Sequence, residues 1–105
     1  MDVQMKRGLL DVCVLASIKD KPSYGYQIIK DVAPYTLICE STLYPILRRL
    51  ENQGSLTVYS EEHNGKLRKY YQITQDGKEK LASFREEWKE IMNIYNFVCK
   101  GDKND

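Results

Sequence analysis

Charge imbalance is what this sequence most plainly lacks. Sixteen Lys and Arg stand against 15 Asp and Glu, for a net charge of +1. A uniformly basic surface is therefore excluded. A local basic face is not, because a phosphate meets the local field rather than the total. Metal ligands are scarce too. His63 is the one histidine, and Cys13, Cys39 and Cys99 lie far apart without a C-x-x-C spacing, so no metal site and no cofactor are expected. Three widely spaced cysteines read as reduced thiols in a cytoplasmic protein. No stretch approaches the roughly 18 uninterrupted apolar residues of a membrane span, so no membrane contact is expected. The start carries Asp2, Gln4, Lys6 and Arg7 where an apolar leader would stand, and no signal peptide is expected. Neither a nucleophile–base pair nor a Gly-rich phosphate loop is present at a recognisable spacing, which argues against an enzyme.

What is present is strong periodicity within the length of one domain, 105 residues. From Leu9 to Ile18 nearly every position is apolar. The run is too long for a typical strand and predicts a helix covered on more than one side. Ser23 offers a hydroxyl as N-cap for a second helix with Ile28, Ile29 and Val32 as its inner stripe, and Pro34 stops it. Leu43, Ile46, Leu47 and Leu50 follow helical spacing in a third helix that ends at Gly54. Its opposite face carries Ser41, Pro45, Arg48 and Asn52, flanked by Thr42, Tyr44 and Arg49. Two alternating runs, Ser55 to Glu61 and Leu67 to Thr74, flank Asn64-Gly65, the dipeptide that most favours a tight hairpin. Thr74 caps a last long helix to about Cys99, on which Leu81, Phe84, Trp88, Ile91, Tyr95 and Val98 alternate spacings of three and four.

The order helix, helix, helix, hairpin, long helix predicts a mainly α fold with a small β-hairpin wing. It is a winged helix-turn-helix over residues 1–74, a C-terminal dimerisation helix over 75–100 and a frayed tail over 101–105. A major groove admits one helix, and the third helix offers it Ser41, Thr42, Tyr44, Arg48 and Arg49. Lys66, Arg68 and Lys69 cluster beside the hairpin turn, where they suit phosphates or a narrow minor groove. The Tyr24 hydroxyl is a candidate phosphate contact, whereas Tyr70 and Tyr71 read as strand core. The heptad seam has more apolar surface than a domain of this size can cover alone, which points to a homodimer. A winged-helix protein–protein interaction module without DNA binding would also explain the fold and the seam. It would leave the polar, Arg-bearing face of the third helix unexplained.

Three blocks carry a family resemblance: Tyr24-Gly25-Tyr26; Ser41-Thr-Leu-Tyr-Pro-Ile-Leu-Arg-Arg-Leu-Glu51 followed by Gly54; and Arg68-Lys-Tyr-Tyr71 with Ile73-Thr74 and Gly77. In this order, from about Leu9 to Trp88, the chain resembles the PadR family of bacterial regulators, in its short branch with a single C-terminal helix. The resemblance implies a winged-helix transcriptional regulator, a homodimer made by the last helix, and repression at an inverted-repeat operator of double-stranded DNA. By position it implies Ser41, Thr42, Tyr44 and Arg48 at the groove, and Lys66, Arg68 and Lys69 on the wing. Trp88 falls where some short members stack flat aromatic ligands at the dimer interface, so a small planar aromatic effector is a further expectation. Three departures stand out, the first a connection before the third helix that is shorter than in many relatives. Cys39 is a poor N-cap, and Pro45 predicts an irregular first turn in the third helix.

Overall fold

In a computed structural model, which describes residues 1–102, the chain forms α1 (Val3–Ser17), α2 (Gly25–Val32), α3 (Glu40–Asn52), β1 (Leu56–His63), β2 (Lys66–Ile73) and α4 (Gln75–Val98). The expected frayed tail lies largely outside the described residues. Helix α1 starts at Asp2, whose carboxylate accepts the Met5 N–H at 3.1 Å. It packs against α2, α3 and α4 and so forms the centre of the molecule. The α3 stripe of Leu43, Ile46, Leu47 and Leu50 is wholly buried against Val14, Leu15, Ile18 and Ile28. Each such side chain contributes about 1.5–3 kcal/mol over leaving it in water.

The chain turns where sequence chemistry allows it. Gly54 adopts a φ of 79° and closes α3 in a Schellman motif: Ser55 N–H donates to the Leu50 carbonyl at 2.9 Å and Gly54 N–H to Glu51 at 3.0 Å. Asn64 and Gly65, with φ of 53° and 80°, form the primed turn that matches the twist of a hairpin. The antiparallel register runs from Leu56 opposite Ile73 to His63 opposite Lys66. Thr74 caps α4 by accepting the Gly77 N–H at 3.1 Å. Leu81 then buries in the core of its own chain, with Phe84 packed against it.

Two local expectations are corrected. Ser23 is not the cap of α2. It is extended and pairs with Tyr71, through N–H···O bonds of 3.1 and 2.7 Å, as a one-residue third strand beside the wing. Tyr24 takes the capping position without a side-chain bond. Pro45 does not disturb the start of α3, which continues unbroken through it. The carbonyl that lacks a donor there belongs to Ser41, an exposed residue, so water can serve it.

Candidate nucleic-acid interface

Because the apolar stripe of α3 is fully used by the core, its other face is necessarily outward. Ser41, Thr42, Tyr44, Pro45 and Arg48 are all exposed there. Tyr44 crosses back to α2: a Cβ on Gly25 would stand 2.5 Å from its hydroxyl, so glycine leaves room for the end of that side chain. Cys39, at the N-cap, makes no side-chain cap hydrogen bond. Its thiol lies 3.1 Å from the Ser41 hydroxyl and 3.5 Å from that of Thr42. Those hydrogen bonds, Ser41 first, lower its pKa from 9.0 to about 7.

Arg49 departs from the expected DNA face. Its guanidinium forms a salt bridge with Asp11 of α1, with Nε donating to Oδ2 at 3.4 Å as a second bond. The Asp11 side chain is 9% exposed and that of Arg49 31%. The physical reason is a buried carboxylate that needs a cation, and Arg49 supplies it.

On the wing, Lys66 and Lys69 are exposed, while Arg68 is half-buried. Its guanidinium carbon sits 3.8 Å from the centroid of the Tyr24 ring, and Nη1 donates to the Tyr70 hydroxyl at 3.4 Å. Tyr70 in turn stacks on Tyr59 at 5.6 Å and meets Tyr24 edge-on at 5.8 Å. Tyr71 faces the other way and is core, as expected. Tyr70 is corrected to an outer-face residue, because neighbours in a strand point to opposite sides. A cleft of about 300 Å³ between α2, α3 and β2 is lined by Tyr24, Tyr26, Tyr44, Arg68 and Lys69.

The second surface is α4. Of its heptad residues, Leu81 belongs to the intramolecular core, which corrects its placement in the seam, and Phe84 is shared with that core. Trp88 is half-buried with its ring 5.6 Å from Phe84. Ile91, Tyr95 and Val98 are exposed in the single chain, together with Met92, Ile94 and Phe97. Beside Phe84 and Leu81 runs a groove of about 560 Å³ whose apolar wall includes Leu9, Leu10 and Cys13 of α1.

The family model of the transcriptional regulator PadR-like family matches residues 14–83. The chain belongs to that family. Among solved structures, a PadR-like transcription factor from Bacteroides fragilis shares 34% identity with a TM-score of 0.81, over 90% of this chain and 94% of its own. A PadR-like transcriptional regulator from Bacillus cereus shares 29% identity with a TM-score of 0.81, over 94% of this chain and 99% of its own. A Lysinibacillus sphaericus protein, described as uncharacterized, is 36% identical over 100 residues, which is 90% of this chain and 92% of that protein. This PadR-like chain is accordingly a winged-helix, DNA-binding type of transcription regulator and not an enzyme. Among its described residues no helix is long and apolar enough to cross a membrane.

Sequence reasoning missed several residues of this PadR-like surface. Asp11 was unremarkable inside an apolar run, yet a lone acid at a buried helix position is itself a signal for a cationic partner. Met92, Ile94 and Phe97 fall off the heptad, and the signal that finds them is three further apolar residues in the last turns of the helix. Tyr59 carried no motif. Only its register opposite Tyr70 reveals it.

Proposed function

We propose that this PadR-like protein is a cytoplasmic repressor that binds an inverted-repeat operator as a homodimer and is released by a small planar aromatic ligand. The observation that carries the DNA part is the division of α3 into a buried Leu43/Ile46/Leu47/Leu50 stripe and an exposed Ser41/Thr42/Arg48 face, with Lys66, Arg68 and Lys69 on the adjoining wing. In that reading α3 lies in the major groove, where Arg48 reads a base edge with Ser41 and Thr42 beside it. The wing holds phosphates, which fix register without reading sequence. The apolar residues of the last α4 turns are covered by the second copy, whose two-fold axis makes the operator palindromic. The exposed row Ile91, Tyr95 and Val98 supports this, since contiguous apolar surface on a small domain marks an interface.

Selection of bound fragments from random DNA tests the reading. It should return half-sites related by two-fold symmetry and spaced by about 34 Å or a multiple. On the selected site, Arg48→Ala should cost on the order of 1–3 kcal/mol and relax preference at one position per half-site. Lys66→Ala should instead weaken all sequences alike and flatten the dependence of log K on log salt. Equal loss from Arg48→Ala on operator and random DNA would move Arg48 to the phosphate backbone.

A further inference from the structure

Arg68 differs from the other two wing cations. Lys66 and Lys69 extend into solvent, while Arg68 lies flat on a tyrosine that belongs to another element. A guanidinium carbon 3.8 Å from a ring centroid is a stacked cation–π contact, available to the planar guanidinium and not to an ammonium in the same way. One nitrogen, Nη1, is also engaged by the Tyr70 hydroxyl. The platform is itself fixed. Tyr24 stands between Ser23, bonded on both sides to Tyr71, and Gly25, which opens α2. Tyr70 is held by stacking on Tyr59. Glu61 faces Arg68 across the hairpin register, yet no ion pair joins them among the described residues, so the charge stays uncommitted. With one bond to protein, most of the five guanidinium donors remain for an anion at the cleft between α2, α3 and the wing.

We propose that Tyr24 is a positioning residue for DNA binding: its ring orders Arg68 to receive a backbone phosphate, a role that needs the ring and not the hydroxyl. The inference deepens the DNA-binding reading above and rests on it. The ring holds the guanidinium edge towards the cleft, so part of the ordering that a free Arg would undergo on binding is complete beforehand. Tyr24 thereby ties the wing to the first turn of α2, and the phosphate contact moves with the helix pair rather than with the hairpin alone.

The test is binding of the intact protein to a mixed-sequence duplex, read by anisotropy over a series of salt concentrations, with folding of each variant checked by circular dichroism. Arg68→Ala should flatten the slope of log K against log salt by about 0.9, one phosphate. Tyr24→Phe keeps the ring and should match wild type in affinity and slope. Tyr24→Leu removes the platform and should weaken binding several-fold with a flatter slope. The pair Tyr24→Leu/Arg68→Ala should be no weaker than Arg68→Ala alone. The inference is overturned if Tyr24→Phe is as weak as Tyr24→Leu, which would place the hydroxyl on DNA. It is equally overturned if the two losses multiply, or if Tyr24→Leu leaves the slope at the wild-type value. If Tyr24→Leu does not fold, Arg68→Lys decides: it keeps the charge but cannot lie flat, so its affinity should fall nearer to that of Arg68→Ala than to wild type, and the reverse order of affinities overturns the inference. Absence of salt-dependent binding by the wild type would overturn the DNA reading as a whole. An unchanged wild-type affinity with the wrong variant order overturns only the role of Tyr24.

Discussion

Cys39 sits exposed where the chain enters α3, with hydroxyls of Ser41 and Thr42 close to its sulfur. Those hydroxyls stabilise a thiolate, and the pKa is accordingly lowered from 9.0 to about 7. Cys13 is the opposite case, its thiol pushed up by burial against α1's neighbours. At about pH 7.5, iodoacetamide should therefore label Cys39 before Cys13, read by mass spectrometry of quenched aliquots. Because the folded chain favours the charged form, any stability linked to Cys39 is fully present above pH 9 and fades as the pH falls through 7. DNA affinity should move the other way. If the start of α3 enters the groove as proposed, a thiolate there, next to Glu40, repels phosphate, so affinity should drop roughly threefold at low salt as the pH rises through 7. The Cys39→Ser protein should lack that step. Equal pH profiles for both proteins would mean that the sulfur lies away from the duplex.

Between elements, the Asp11–Arg49 pair fastens α1 to α3 across 38 residues of sequence, and its two partners are not equivalent. Arg49→Ala strands a carboxylate that is 9% exposed, whereas Asp11→Ala leaves a guanidinium 31% exposed that can swing to water. Urea unfolding should show Arg49→Ala losing about 3 kcal/mol and Asp11→Ala less. The salt slope of DNA binding should stay at the wild-type value in Arg49→Ala, because no phosphate contact is removed; a flattened slope would return Arg49 to the interface. The same pair shows where sequence reading stops. Leu43, Ile46, Leu47 and Leu50 were legible because a helix repeats its face locally. Asn64-Gly65, Gly54 and Thr74 were legible because turn and cap chemistry is local too. Arg49 was not, since its partner lies 38 residues away. Nor was Ser23: a cap and a one-residue strand use the same residue type, and only the position of Tyr71 decides between them. Leu81 fits the heptad perfectly, yet the core reaches it first. The candidate DNA face was thus mostly readable, while the arrangement that orders Arg68 depended on which side of each strand meets α2.

At the scale of the molecule, the 60 × 26 × 23 Å envelope is set by α4, whose first turns are anchored in the core and whose last turns project. A projecting end bearing Ile91 at 42% exposure and Phe97 at 77% calls for a cover. Ile91→Glu would bury two charges near each other in a dimer seam, so sedimentation should find monomers that no longer retain operator DNA, and an intact dimer would place the seam elsewhere. Trp88 bridges this projecting end and the anchored one. It is half-buried beside Phe84, one turn from the groove of about 560 Å³ that α1 and α4 enclose. A second copy laid along α4 would close that groove from above and bring a second Trp88 towards it. A flat aromatic compound would then find apolar walls and ring faces, worth about 0.5–1.5 kcal/mol per stacked ring beyond its buried area. Stacking alone does not release DNA. The compound must prefer the spacing of the two wings in free protein over their spacing on the operator, since equal affinity for both shifts nothing. The expected outcome is that planar aromatics quench the fluorescence of Trp88, the chain's only tryptophan, and lower operator affinity by the same factor by which operator lowers theirs. Titration of free dimer and of operator-bound dimer measures both factors. Quenching with operator affinity unchanged would make Trp88 a packing residue of the interface, and control of this regulator would then have to enter through another site.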